Sequence, residues 1–202
     1  NNDGSIVLAL CQGPKGIFFS TNFGESWNLA FGGDYTSGEG QAIQWVSPTK
    51  VFVIAGHQLY KADPFTTPLV WSKMEFPDEL PKGEPLSLAY DANGGYYFIG
   101  MGTGQIFVFD TNENFVSSTN LPVFGNNDFA VTRVFSIAVD STNSFIYAAT
   151  GIELGKANIY RASYNSASGI ISNWLEKEPA TAKDHYAGVF VAPTSHVYVT
   201  TM

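Results

Sequence analysis

The chain has 202 residues, 45% hydrophobic and 14% charged, long enough to bury a substantial core and too apolar to be disordered. Ten Lys and Arg against eighteen Asp and Glu give a formal charge of −8. That balance argues against nucleic acid and anionic membranes as partners, because both would repel it.

The chain opens on two apolar runs, "SIVLALC" from Ser5 and "IFFST" from Ile17, followed by the polar stretch "STNFGESW" ending at Trp27. From Ala42 a pattern begins that recurs three more times: "AIQWVSPTKVFVIAG", then "LSLAYDANGGYYFIG" from Leu86, "FSIAVDSTNSFIYAAT" from Phe135 and "GVFVAPTSHVYVTT" from Gly188. Each run reads as an apolar strand, a polar turn and a second apolar strand. Their turn positions Ser47, Asp91, Asp140 and Ala192 are spaced by 44, 49 and 52 residues. A third strand follows in step, "IFFST", "LYKAD" from Leu59, "IFVFD" from Ile106 and "IYRAS" from Ile159, and a fourth carries an aromatic, Trp27, Trp71, Phe115 and Trp174. Phe76-Pro77 and Leu121-Pro122 mark exits, since proline cannot donate into a ladder.

A unit of four short antiparallel strands repeating every forty to fifty residues, with no sustained helical periodicity, predicts an all-β chain: a β-propeller of about four to five blades, with a ring that need not close within this chain. One blade cannot cover both of its apolar faces, so neighbours must stack. Continuous apolar strands such as "YYFIG" and "FIYAAT" fit sheets covered on both sides. Small residues at Ala55, Gly100 and Ala149 recur in the second strand, where adjacent sheets are expected to approach closely. The strands count as three, then three complete quartets, then two. The expected organisation is a single propeller domain or propeller segment, with units near 1–40, 41–84, 85–132, 133–186 and a partial 187–202. A longer ring, or another chain completing it, is expected from the unmatched strands.

The stretch "STNFGESW" resembles the Asp-box, the bacterial neuraminidase repeat, whose pattern is Ser/Thr-x-Asp-x-Gly-x-Thr/Ser-Trp. Ser20, Gly24, Ser26 and Trp27 match it, and Asn22 stands where the Asp is expected. The resemblance implies the turn between the third and fourth strands of a blade, where the repeat already places these residues. Short Asx and hydroxyl side chains can hold such a turn through backbone amides, Gly24 can take positive φ, and Trp27 is expected to bury its ring between sheets. Later copies, from Ala62, Phe109 and Ala162, keep the polar turn and lose the glycine spacing. Asp63 and Asp110, which follow third strands, read as turn residues. Families of this look include sialidases, sortilin-type receptor ectodomains, xyloglucan-hydrolysing enzymes and photosystem assembly factors, and fold does not choose among them.

The sialidase resemblance implies three arginines around a substrate carboxylate. The chain has Arg133 and Arg161 alone, so a complete sialidase site is excluded on it. Asp91 and Asp140 are the candidate carboxylates for glycoside hydrolysis, but they recur with the fold and read first as turn residues. His57, His185 and His196 show no metal-ligand spacing, Cys11 lies in an apolar run and reads as a buried inert thiol, and "GMGTGQ" from Gly100 leads into a strand, which makes it a hairpin and not a phosphate loop. No metal or other cofactor is expected. The ligand-binding candidates are aromatics in Gly- and Asn-rich loops, Tyr35, Phe124, Phe129 and Tyr164, which could stack on sugar rings or anchor a protein. No stretch approaches the length of an apolar membrane span.

The expectation is therefore a non-enzymatic binding or scaffold propeller that recognises a protein or glycan through its loops, outside the cell or on its surface. The alternatives are a fragment of a glycan-active hydrolase whose other catalytic residues lie beyond these residues, and a structural surface-layer or sheath subunit.

Overall fold

The computed structural model describes residues 5–12, 15–31, 40–47, 49–66, 69–78, 80, 83–122, 133–151, 158–177 and 186–201. The chain forms two compact units, Asn1–Leu80 and Pro81–Met202. The described residues contain strands and turns and no helix.

The first unit holds two antiparallel sheets. One consists of β1 (Val7–Gln12), β2 (Lys15–Ser20) and β3 (Asn28–Phe31), and the other of β4 (Gly40–Ser47), β5 (Lys50–Ala55), β6 (Gln58–Ala62) and the two-residue β7 (Ser72–Lys73), each paired in chain order. Ile17 of the first sheet clusters with Val53 and Ala55 of the second, and Leu8, Leu10, Ile43 and Trp71 pack around them. Five of the six β5 residues are buried, which is why this strand is apolar along its length and does not alternate.

The second unit holds three sheets. They are β8 (Pro85–Asp91), β9 (Tyr96–Met101), β10 (Gln105–Asp110) and β11 (Phe115–Asn120); β12 (Arg133–Asp140), β13 (Phe145–Gly151), β14 (Ile159–Asn165) and β15 (Ile170–Glu176); and the pair β16 (Tyr186–Val191) and β17 (Val197–Thr201). Phe98, Ile106 and Val108 of one sheet meet Val134, Ile137 and Ile146 of the next. Ala138, Ala149 and Ile159 then meet Tyr186 and Val189 of the strand pair. Among the described residues the strands thus run three, four, four, four and two. Trp174 of β15 reaches the neighbouring sheet of the same unit, its Nε1 donating to Thr119 Oγ1 at 3.0 Å.

The repeat is visible in the backbone as well as in the side chains. Every pairing of a first with a second strand carries a register shift at the same place, between Gly40 and Ala42, Pro85 and Ser87, Val134 and Ser136, and Tyr186 and Gly188. This bulge corrects one sequence expectation. Gly100 pairs with Ser87 and Ala149 with Ser136, but Ala42 pairs with Ile54, so the equivalent of Gly100 and Ala149 is Ile54 and not Ala55. The β5–β6 turn is one residue shorter than the β9–β10 turn, so matching the strands by the small residue near the turn slips the alignment by one, and a slip of one reverses the face. The close approach itself is present at Gly100: a Cβ there would lie 2.6 Å from Val134 Cγ1 and against Ser87 Oγ.

Candidate ligand-binding groove

The Asp-box-like turn is held as its residue types require. Ser20 is fully buried at the end of β2; its Oγ accepts the amides of Asn22 at 3.2 Å and Gly24 at 2.9 Å and donates to Asn22 Oδ1 at 2.8 Å. Asn22 Oδ1 accepts the Ser26 amide at 3.0 Å, and its Nδ2 donates to Ser26 Oγ at 2.9 Å. Gly24 has φ of 88°, and Phe23 before it has φ of 60°, a left-handed conformation that a bulky side chain rarely adopts. The expectation for Trp27 needs correcting. Its ring is 42% exposed and lies across the turn, 3.6 Å from where a Gly24 Cβ would stand, and is not buried between sheets. Trp27 stands just outside the outermost strand of its sheet, where the face runs out into solvent. Turns between third and fourth strands elsewhere keep the Asx residue: Asp63 Oδ1 accepts the Phe65 amide, Asp110 Oδ1 those of Asn112 and Asn114, and Asn165 Oδ1 that of Ala167.

At the same end of the second unit's sheets as the Asp110 and Asn165 turns, the turns after β8 and β12 gather the two candidate carboxylates. Asp91, 1% exposed, accepts the amide of Asn93 in its own turn at 3.0 Å, the hydroxyl of Ser141 in the next sheet at 2.6 Å and the Tyr164 hydroxyl at 2.9 Å. Asp140, 4% exposed, repeats the pattern. It accepts the amide and side chain of Asn143 at 3.0 and 2.8 Å and the hydroxyl of Ser195, in the turn of the following strand pair, at 3.3 Å. Burial pushes the Asp140 carboxyl up, but the bonds from Asn143, Ser195 and the Thr142 amide outweigh it and hold the group below the usual carboxylate range. A second pair of connectors lies toward the other end of the same strands: Ser87 Oγ donates to the Val134 carbonyl at 2.8 Å, and Ser136 Oγ accepts the Val189 amide at 3.1 Å.

Tyr164 is not an exposed loop aromatic. It lies on β14, 3% exposed, edge-on to Phe98 with centroids 5.2 Å apart. Burial first, then the Asp91 bond and charge, push its phenol far above the ordinary value. Strand β14 continues to Asn165, and its alternation turns Tyr160, Ala162 and Tyr164 inward. Tyr35, Phe124, Phe129, His185 and the Cys11 side chain lie outside the described residues.

Over the Asp140 turn opens a groove of about 380 Å³. Asn93, Ser141, Thr142 and Ser195 supply its polar lining, Val139, Val191 and Pro193 its apolar lining, and Asp140 also lines it. The Ser141 and Ser195 hydroxyls donate to carboxylates of neighbouring turns, which fixes the shape of the groove. Among the described residues no three His, Cys, Asp or Glu side chains are grouped to hold a metal ion, and no helix is long and apolar enough to cross a membrane. The sequence reading passed over Ser141, Asn143 and Ser195. Their only trace is the polar residues just after the repeated turn position, in "DSTNS" and "APTSH", and the sheet that each one serves is invisible without the fold.

No protein-family model matches this sequence. No curated protein matches it either. Solved structures do. Periplasmic gluconolactonase PpgL of Pseudomonas aeruginosa superposes with a TM-score of 0.71 at 13% identity, over 97% of this chain and 59% of that one. YCF48 bound to D1 peptide gives 0.62 at 11%, over 98% and 58%. The β-propeller domain of Cps50 (Swd1) from Myceliophteria thermophila gives 0.51 at 12%, over 100% and 77%. The fold is thus that of a β-propeller, and identities this low carry the fold alone. The chain spans about three fifths of the length of the first two structures.

Proposed function

We propose that the chain is a non-enzymatic binding propeller of the Asp-box kind, or a segment of one, that recognises a protein partner through the groove at the turns after the first strands. The observation that carries this reading is the state of Asp91 and Asp140. Each is surrounded by donors from its own and the next turn and acts as a connector between sheets, so the carboxylates serve the shape of a groove whose rim offers amides and hydroxyls. A peptide partner is favoured over a glycan by the solved propeller whose structure is described as bound to a peptide. We place the protein outside the cell or on its surface, with strands from another chain or chain segment completing the ring. A native mass above 21.9 kDa for the purified protein supports that completion, and a monomer of that mass speaks against it.

Peptide-library binding with no release of reducing sugar from polysaccharides supports the reading. The second reading, a part of a glycan-active hydrolase, is favoured by the likeness to a gluconolactonase. It predicts polysaccharide hydrolysis by a longer parent, lost in Asp91→Asn or Asp140→Asn; that result would overturn the first.

A further inference from the structure

We infer that the open edge of β17 is an interaction surface, on which a β-hairpin from polypeptide outside these 202 residues docks as the third and fourth strands of its sheet. The inference rests on the ring completion proposed above and is independent of the groove. In the three four-stranded sheets the second strand, β5, β9 or β13, is paired on both sides, whereas β17 is paired with β16 alone among the described residues. The Ala192 amide donates to the His196 carbonyl at 2.9 Å, and bonded pairs alternate along an antiparallel ladder. Tyr198 and Thr200 therefore bond back to β16, while Val197, Val199 and Thr201 turn their N–H and C=O groups to the open side. In the preceding sheet Thr150 holds the register position of Thr201, and its amide donates to the carbonyl of Asn158, just before the third strand, at 2.9 Å.

The edge itself is built to be covered. Natural edge strands are blunted by charge, proline or a bulge, and "VYVTT" carries no charged residue and no proline. The outer strands of the same unit, "FVSSTN" and "IISNWLE", are more polar. The surface beneath the vacant strand positions is uncovered as well. The β16–β17 pair covers Ala138 and Ala149 of the first two strands of the β12–β15 sheet. Beyond them Arg161 of the third strand is only partly buried, and Leu175, its partner on the fourth, is exposed. Val108, which holds the register position of Arg161 in the preceding sheet, is fully buried where four strands follow it. Arg161 lies 4.3 Å from the centre of the Phe145 ring and bonds Tyr147, so its charge is engaged within its own sheet. A single extended strand would leave Leu175 bare, because fourth strands stack on fourth strands here, as Trp174 on Thr119 shows. The occupant is therefore a hairpin, with apolar side chains opposite Val197 and Val199, which turn onto the β12–β15 sheet. It continues the stacking already present between the two preceding sheets.

The test compares amide hydrogen exchange in the chain as it stands with two extended forms. One is joined after Thr201 to a copy of Gly102–Leu121, the other through Gly-Thr-Gly to a copy of Asn158–Glu176. Each copy supplies a third and a fourth strand, with Phe107 and Phe109, or Tyr160 and Ala162, opposite Val199 and Val197. In at least one extended form the amides of Val197, Val199 and Thr201 should exchange at least about a hundredfold more slowly, with a shift of the Leu175 methyl signals. Phe107→Pro in the first copy should restore fast exchange there, because proline cannot donate to the Val199 carbonyl. Fast exchange in both extended forms overturns the hairpin. Slow exchange in the unextended chain overturns it too. If the native mass is then doubled, a second copy holds the edge and the ring completion stands; if the protein is a monomer, the chain covers its own edge and both fall.

Discussion

Tyr164 shows how one side chain is used twice, once through its ring and once through its hydroxyl. Its phenol donates to Asp91 at 2.9 Å while the ring packs edge-on against Phe98. Tyr164→Phe keeps the packing and removes the donor, so it should cost about 1.5–3 kcal/mol in urea unfolding, the range for a bond to a charged acceptor. A loss below a few tenths would mean that Asp91 finds another donor. Asp140 carries a pH signature. Its carboxyl titrates lower in the folded protein than in an unfolded chain, so its stabilising contribution is present above the usual carboxylate range and lost as pH falls through the folded-state value. The gap in unfolding free energy between the wild type and Asp140→Asn should therefore be widest near neutrality and narrow below about pH 4. A gap that stays constant down to acid pH would remove the carboxylate bonds from the account.

Among the elements, the turn from Ser20 to Trp27 was the most legible in sequence. The Ser, Asn and Gly positions that its motif demands are the ones that close it, because their bonds reach only two to four residues along the chain. Trp27 was misread because the fate of its ring depends on what stands beside the outermost strand, which no local pattern encodes. Phe23 was not singled out at all, although it sits at φ of 60° and 70% exposed. Asn tolerates that conformation better, so Phe23→Asn should raise stability by about 0.5–1 kcal/mol in thermal or urea unfolding. A destabilised variant would mean that the exposed ring makes a contact that outweighs the backbone strain. The slip at Ala55 belongs to the same scale: the repeat fixes which strand is which, but the register depends on a bulge and on the length of a hairpin, and neither has a residue signature in this chain.

Across the second unit the sheets behave as a stack whose neighbours are coupled at both ends of their first strands, by Ser87 and Ser136 at one end and by Asp91 and Asp140 at the other. The turn 140–143 is gripped from both sides, since Ser141 donates back to Asp91 while Asp140 accepts from Ser195. Asp91→Asn and Asp140→Asn should therefore cost less together than the sum of the single changes, by about 0.5–1 kcal/mol in a double-mutant cycle. Strict additivity would mean that the two connectors act separately. What the sequence determined by itself was the all-β class, the quartet rhythm and the closing of the local turns, because strand patterning and short-range hydrogen bonds are properties of neighbouring residues. Tertiary structure alone decided that Tyr164 is core and not rim, that Asp91 and Asp140 reach serines fifty and more residues away, and that these serines and carboxylates shape one groove, because stacking brings together residues whose separation along the chain carries no pairing signal.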